Sequence, residues 1–112
     1  MLNQDPAALD RVFHALADPA RRQMLERLTG GPASVSTLAE PLTMSLPAVM
    51  QHLKVLEEAG LLRSEKVGRV RTCRAVPDAL ARAQRWIDAR RALWEKPLDR
   101  LGPTLAADDD LV

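Results

Sequence analysis

Cysteine is almost absent from this sequence, which has only one, Cys73, in 112 residues. A single cysteine cannot form an internal disulfide, and it cannot build an all-cysteine metal site within one chain. Aromatic residues account for only 3% of the sequence, whereas hydrophobic residues account for 46%. The core must therefore be built from Leu, Val, Ala and Met, a mixture that favours helices.

The sequence also lacks long apolar runs. No segment approaches the roughly 20 apolar residues of a transmembrane helix, and residues 1–5 lack the basic and apolar blocks of a signal peptide. We therefore expect a cytoplasmic protein without a membrane partner. The length of 112 residues fits one domain with a modest core and is too short for a second lobe around a deep cleft.

Residue patterns that support catalysis are missing as well. There is no glycine-rich phosphate loop, no nucleophile with a plausible base, and no pair of carboxylates in an apolar setting. His14, His52 and Cys73 fall on three different predicted elements, which gives no recognisable spacing of metal ligands. We expect that the protein is not an enzyme and that it holds no cofactor and no metal ion.

Basic residues are concentrated in one segment, although the formal net charge is only +1. Residues 66–74 contain four basic residues and no acidic one, whereas residues 108–110 are three consecutive aspartates. Attraction to phosphate is screened over about 8 to 10 Å at cellular salt, so a local basic segment matters more than the net charge. Residues 66–74 are therefore a candidate nucleic-acid contact.

Proline and capping residues divide the first part of the chain into three helices. Asp5-Pro6 and Asp18-Pro19 each combine an N-cap with a proline at the first helical position, and residues 30–32 close the second helix. A short third helix should begin near Ser36, and Pro41 limits its length.

A fourth helix is marked at both ends. Ser45 is a favourable N-cap, Gly60 supplies the left-handed residue that ends a helix, and apolar residues recur between them at helical spacing. The inward face carries Val49, Leu53 and Leu56. The outward face, which has no carboxylate before Glu57, carries Pro47, Ala48, Gln51, His52 and Lys54.

After Gly60 the periodicity of the sequence changes from about 3.6 to about 2 residues. Residues 61–67 and 70–76 flank Gly68, where a positive φ is favourable, and predict a β-hairpin. Pro77 opens a long last helix, and Pro97 interrupts its continuation. We therefore expect one domain, residues 1–96, followed by a partly disordered tail, residues 97–112.

Two short helices joined by a tight turn and followed by a hairpin are typical of a winged helix-turn-helix. The predicted fold is mainly α with a small β-hairpin, with about five helices plus a two-stranded wing. In such a fold the fourth helix lies in the major groove of DNA, and the wing contacts the adjacent backbone or minor groove. The candidate DNA contacts are Ser45, Pro47, Ala48, Gln51, His52, Lys54, Arg69 and Arg71. The alternative for the arginines is a solvated hairpin edge, where charge suppresses aggregation.

One recognition helix with its wing buries too little surface for a specific DNA site. Two linked copies add their discrimination and require an inverted-repeat operator. Both tryptophans lie in the last helix, and large apolar residues that a small domain leaves exposed mark association surfaces. The alternative is that the tryptophans cap the core of one protomer. The candidate dimer interface consists of Leu9, Val12, Phe13, Trp86, Ile87, Leu93 and Trp94.

Several segments of the sequence are similar to the ArsR-type family of bacterial repressors. They are residues 16–25, 35–39, 49 with 51–53, 56–62 and 68–69. The resemblance covers residues 9–95, most of the chain. It implies a homodimeric winged-helix repressor in which the first and last helices form the dimer interface and an effector loosens DNA binding.

The resemblance separates this chain from the metal-sensing members of that family. Those members carry Cys-Val-Cys at the start of the third helix, where residues 34–36 here are Ser-Val-Ser, and hydroxyls are poor ligands for soft metal ions. Other sensors use Asp, His and Glu along the last helix, but residues 78–96 contain no histidine or cysteine. The resemblance therefore implies a subtype without the metal-binding cysteines. Three alternatives stay open for a switch: a small-molecule effector, oxidation of Cys73, or no ligand.

The favoured hypothesis is a homodimeric, sequence-specific transcriptional regulator that acts as a repressor at an inverted-repeat operator and does not respond to metals. Its partners are then double-stranded DNA and a second copy of the chain. The alternative is a winged-helix module that binds another protein and does not read DNA, since a fold alone does not determine function. Met50 on the fourth helix and the acidic residues 108–110 favour that alternative.

Overall fold

The structure, a computed structural model, describes residues 6–100, with side chains through residue 95. Within this range there are five helices and three strands. In chain order they are α1 Pro6–Leu16, α2 Pro19–Leu28, β1 Ala33–Ser34, α3 Val35–Ala39, α4 Leu46–Glu58, β2 Leu62–Val67, β3 Val70–Ala75 and α5 Pro77–Arg100. The predicted fold class, a mainly helical winged helix-turn-helix, is confirmed. None of the helices in residues 6–100 combines the length and the apolarity that a membrane span needs.

The helix boundaries follow the capping residues of the sequence. A carboxylate oxygen of Asp18 accepts hydrogen bonds from the backbone N–H groups of Ala20, at 2.8 Å, and Arg21, at 3.1 Å. These bonds, the Arg21 bond first, lower the pKa of Asp18 from its ordinary value because they favour the ionised form. Ser45 caps α4 in the same way through the N–H of Ala48, and Gly60 follows its end with a φ of +78°. The predicted start and stop signals of α2 and α4 are therefore confirmed.

The wing is part of a three-stranded antiparallel sheet in the order β1-β3-β2. Strands β2 and β3 form the predicted hairpin, with Gly68 in its turn at a φ of +64°. The two-residue strand β1, which was not predicted, pairs Ala33 with Cys73 and Ser34 with Thr72. Two residues are too few to show a strand periodicity, so no local pattern predicts β1. This pairing ties the base of the wing to the start of α3.

The core lies between α4, the sheet and the helices that surround them. Val49, Leu53 and Leu56 bury the inward face of α4, as its spacing predicts. The largest of the fully buried side chains are Met24, Leu38, Leu56, Leu61, Leu62, Val12, Val49 and Cys73. No aromatic residue is among them, so the core is built from aliphatic residues, methionine and one thiol. A core of this kind orients α4 through packing along its whole inward face.

The last helix extends further than the sequence indicates. Helix α5 continues past Pro97 to Arg100, beyond the predicted domain boundary at residue 96. A proline removes one backbone hydrogen bond, but the turns before and after it keep their own bonds. The predicted disorder concerns the tail from residue 97 to residue 112, of which residues 101–112 lie outside the described residues.

Candidate nucleic-acid interface

Helix α4 presents a polar face that is free of acidic side chains over its first three turns. Gln51, Lys54 and Pro47 are exposed on this face, and Ser45 is exposed at its start. Ala48 is half-buried beside them. The side chains of Gln51 and Lys54 are long enough to reach base edges and phosphates of a duplex that receives the helix. The structure thus brings together five of the predicted DNA contacts on one surface of α4.

His52 differs from the other predicted contacts on α4 because part of its ring faces the protein. It is half-buried, and its Nδ1 lies 3.0 Å from Nη1 of Arg21 on α2. Arg21 is itself buried, and its guanidinium also bonds to backbone carbonyls at the end of α1. Arg21 was not among the functional residues predicted from the sequence. The two residues are 31 positions apart, so no local pattern connects them.

The wing carries one arginine at its turn and another that is tied to α4. Arg69 is exposed next to Gly68. Nη1 of Arg71 donates to the Ser64 hydroxyl at 3.0 Å, and that hydroxyl donates to a Glu57 carboxylate oxygen at 3.2 Å. Arg71 was predicted as a DNA contact alone, but it also belongs to this chain of hydrogen bonds, which joins both wing strands to α4. Ser64 and Glu57 were not predicted as members of the site, although strand alternation does place Ser64 and Arg71 on one face of the hairpin.

Cys73 lies beneath this hydrogen-bonded chain and is fully buried. Burial raises the pKa of its thiol, the Glu57 carboxylate raises the pKa further, and Arg71 lowers it. A thiol with a raised pKa and no solvent access reacts slowly with oxidants, because the thiolate is the reactive form. The environment of Cys73 therefore favours a structural thiol over an oxidation switch.

We predict that Cys73 reacts with a disulfide reagent at least about 100-fold more slowly in the native protein than in denaturant. The reaction requires opening of the hairpin over α4, since the thiol is fully buried in the native protein. Absorbance of the released thiolate measures the rate. A Leu46→Cys variant, with its cysteine at an exposed position of α4, is the control for reagent access. Equal rates for Cys73 in the native and denatured states would contradict the prediction.

A second surface, which we call the α1–α5 surface, is apolar and exposed. It consists of Phe13, Trp86, Ile87, Leu93 and Trp94. The rings of Phe13 and Trp86 meet edge to face with centroids 5.8 Å apart, and the guanidinium of Arg90 lies 4.9 Å from the Trp86 centroid. These contacts orient the rings of Phe13 and Trp86 on the surface of the protomer.

Two predicted members of the dimer interface lie elsewhere. Val12 is fully buried within the protomer, so its assignment to an interface was wrong. Leu9 is partly buried and packs against the core. Both residues share the apolar stripe of α1 with Phe13, and the periodicity of a helix does not show which part of a stripe the protomer itself covers. Packing of α1 against α5 and α4 covers this part.

The apolar stripe of α5 runs beyond the protomer core. At its start Ala79 and Ala83 are 1% and 3% exposed, whereas further along the same face Trp86 and Trp94 are 42% and 69% exposed. Ala92, on the opposite face of the helix, is also exposed. Larger apolar residues therefore follow small buried ones on a single stripe, and the described part of the protomer leaves them exposed. Such a surface is typical of an association site.

Ser34 and Ser36, at the positions where the resemblance places the cysteines of metal-sensing members, lie at the start of α3. Ser34 caps α3, with its hydroxyl accepting a hydrogen bond from the N–H of Thr37 at 3.1 Å. Ser36 is exposed on the first turn of α3. In the part of the chain that the structure describes, no group of three His, Cys, Asp or Glu side chains is arranged to hold a metal ion.

Comparisons with known proteins agree with this architecture. A family model described as a helix-turn-helix domain matches residues 16–65. The HTH-type transcriptional regulator Rv2034 of Mycobacterium tuberculosis is 38% identical over 101 residues, which cover 90% of this chain and 92% of that protein. The transcriptional repressor SdpR of Bacillus subtilis is 33% identical over 60 residues, which cover 54% of this chain and 67% of that protein.

Solved structures show the same similarity. The crystal structure of the ArsR family transcriptional regulator RHA00566 has a TM-score of 0.79 and 46% identity, and covers 82% of this chain and 95% of that one. The homodimeric winged helix-turn-helix DNA-binding domain of Mb0332 from Mycobacterium bovis has a TM-score of 0.61 and 28% identity, and covers 78% and 82%. The chain therefore belongs to the ArsR family of winged helix-turn-helix transcriptional regulators, whose members bind DNA and are not enzymes.

Proposed function

We propose that this protein is a homodimeric repressor that binds an inverted-repeat operator and does not respond to metal ions. The observation that carries the proposal is the exposed face of α4, with Gln51 and Lys54 outward and no carboxylate before Glu57, next to a wing that ends in Arg69. Negative charge on that face would be repelled by phosphates. Its absence, together with basic residues on the adjacent wing, favours entry of α4 into a major groove.

The proposed contacts divide into those that read sequence and those that position the helix. Gln51 can form a bidentate pair with adenine, and Lys54 can reach guanine or a phosphate. Arg69 and Arg71 suit phosphates or a narrow minor groove. Ser45, Pro47 and Ala48 lie at the start of α4, the end that approaches the bases most closely in helix-turn-helix complexes.

Two copies of the chain are proposed to associate through the α1–α5 surface. The exposed tryptophans supply large apolar area, and the similar Mb0332 domain is a homodimer. Two protomers related by a two-fold axis present two copies of α4 about one helical turn of DNA apart. They thus require half-sites with the same spacing. A dimer on such an operator covers promoter DNA that RNA polymerase needs. The name of the relative SdpR supports repression as the outcome.

We further propose a cytoplasmic location, where a regulator of bacterial type has access to its DNA. The family relatives named above are bacterial proteins.

We predict that metal ions leave operator affinity unchanged. Addition of zinc, nickel or cadmium ions should alter the dissociation constant by less than about twofold, since Ser34 and Ser36 supply no thiolate for these ions. Fluorescence anisotropy with a labelled operator measures the dissociation constant. The measurement with a chelator present controls for metal carried through purification. A loss of affinity of about tenfold or more with any of these ions would contradict the proposal.

The proposed function is tested by selecting fragments of the parent genome that the purified protein retains. We expect enrichment of an inverted repeat in a promoter, and competition by the same fragment but not by a scrambled one. The Gln51→Ala variant should lose discrimination at one base pair of each half-site by about 5- to 100-fold. Failure to retain any fragment would overturn the proposal and favour a module that binds another protein.

A further inference from the structure

Arg21 is the single buried charged residue among residues 6–95, and the proposed DNA contacts do not include it. Its Nε donates to the carbonyl oxygen of Ala15 at 2.8 Å, and Nη2 donates to that of His14 at 3.1 Å. These two carbonyls belong to the last turn of α1. Nη1 lies 3.0 Å from Nδ1 of His52 on α4. A single guanidinium thus joins the end of α1 to the helix proposed to enter the DNA groove.

The contact with Arg21 determines which ring nitrogen of His52 carries a proton. A guanidinium has only N–H donors, so Nδ1 of His52 must accept the hydrogen bond. A neutral imidazole that accepts at Nδ1 carries its proton on Nε2. The nitrogen that is not bonded to Arg21 is therefore a donor. It can bond to an acceptor on DNA, and it cannot accept from the amino groups of adenine or cytosine.

We propose that Arg21 is a positioning residue for DNA recognition, because it holds His52 so that the Nε2–H group donates to an acceptor atom of the operator. The proposal rests on the proposed placement of α4 in the major groove. The acceptor is either a purine N7 or O6 atom at a base edge or a phosphate oxygen beside it, since both accept the same kind of hydrogen bond. Arg21 acts through His52 and does not touch DNA.

Two substitutions of His52 separate its two bonds. In His52→Asn the amide oxygen lies near the place of Nδ1, so the bond to Arg21 is kept and the reach toward DNA is lost. In His52→Gln the amide group lies near the place of Nε2, so a donor toward DNA is kept and the acceptor for Arg21 is lost. We expect His52→Asn to unfold near the temperature of the unaltered protein and to bind the operator about five- to tenfold more weakly.

His52→Gln is expected to show the opposite order. It should unfold at a lower temperature than His52→Asn, because the buried Arg21 group loses a partner, and it should bind the operator more tightly than His52→Asn. Circular dichroism on heating measures the first quantity, and fluorescence anisotropy measures the second. The proposal would be overturned if the variant with the higher unfolding temperature also bound the operator more tightly. It would also be overturned if His52→Asn bound the operator as tightly as the unaltered protein.

Arg21→Lys tests whether Arg21 acts through His52. One ammonium cannot bond to three acceptors in the guanidinium geometry, so we expect about fivefold weaker operator binding in the otherwise unaltered protein. In the His52→Asn background the same change should weaken binding by less than about twofold. Equal losses in both backgrounds would show a route that does not involve His52 and would overturn the proposal. If Arg21→Lys does not fold, the His52 pair decides alone.

Modified operators identify the acceptor. A 7-deazapurine at one position removes N7 from a base, 2-aminopurine in place of guanine removes O6, and a methylphosphonate at one position removes an anionic phosphate oxygen. The modification that removes the partner of His52 should abolish the difference between the unaltered protein and His52→Asn. A difference that survives every such modification would overturn the DNA-facing role. If the unaltered chain binds no operator at all, the proposed function and this inference both fail, whereas failure of this inference alone leaves that binding intact.

Discussion

A double variant in which Leu93 and Trp94 are both replaced by glutamate is expected to be a monomer at micromolar concentration, where we expect the unaltered protein to be a dimer. Both side chains are more than half exposed on the α1–α5 surface, at 62% and 69%. The change removes apolar area that a second copy would cover, and it places four carboxylates at a symmetric interface, where they repel one another. Sedimentation velocity measures the association state directly.

The same double substitution should weaken operator binding by about a thousandfold, or about 4 kcal/mol. A monomer contacts one half-site only. In a dimer the second protomer binds the second half-site intramolecularly, and a high effective concentration favours that step. Trp94→Ala alone should weaken dimerisation without abolishing it. The control is Ala92→Glu, which adds a carboxylate to the opposite, exposed face of α5 and should leave both quantities unchanged. A dimer that persists in the double variant would remove the α1–α5 surface from the proposal.

Removal of both wing arginines, in Arg69→Ala with Arg71→Ala, is expected to produce the second large effect. If each arginine contacts a phosphate, the slope of log affinity against log salt concentration should become shallower by about 2. Operator affinity at low salt should fall by about 10- to 100-fold. Titrations at several salt concentrations give the slope. An unaltered slope would show that the wing does not contact the backbone.

The hydrogen-bonded chain from Arg71 through Ser64 to Glu57 requires a control for this result. Loss of Arg71 removes a charge and also a tether between the wing and α4. Ser64→Ala breaks the tether and keeps both arginines, so it should lower affinity by a few fold and leave the salt slope unchanged. A shallower slope in Ser64→Ala would mean that the tether, and not the arginine charge alone, determines how the wing meets DNA.

The parts of the fold that the sequence predicts are those determined by neighbouring residues. Asp18 and Ser45 cap helices because their side chains satisfy amides two or three residues away, and Gly60 and Gly68 accept positive φ values because they lack a Cβ atom. Such features depend on a few consecutive residues. They were therefore predictable before the arrangement of the helices was known.

The parts that were missed depend on contacts between distant segments. Arg21 and His52 are in contact although they lie 31 residues apart in the sequence. Strand β1 forms through its pairing with Thr72 and Cys73 of β3. Val12 shows the same limit, since its position in an apolar stripe was clear, whereas its burial depended on how the helices pack around α1. The capping residues and the periodicity predicted α4 and the wing, and the family resemblance agreed with them. Neither indicated which residues hold α4 in place.

Cleavage of DNA by a reagent attached to α4 tests whether two symmetry-related copies of this helix enter the major groove together. Leu46 is 59% exposed at the start of α4, and the sole native cysteine is buried, so Leu46→Cys can be labelled selectively with an iron chelate. We predict cleavage of the operator at two symmetric positions about one helical turn apart. The chelate at Ala92→Cys, on the outer face of α5, should not cleave there. An operator that is bound but left intact by the Leu46→Cys conjugate, or cut at one position only, would contradict the account.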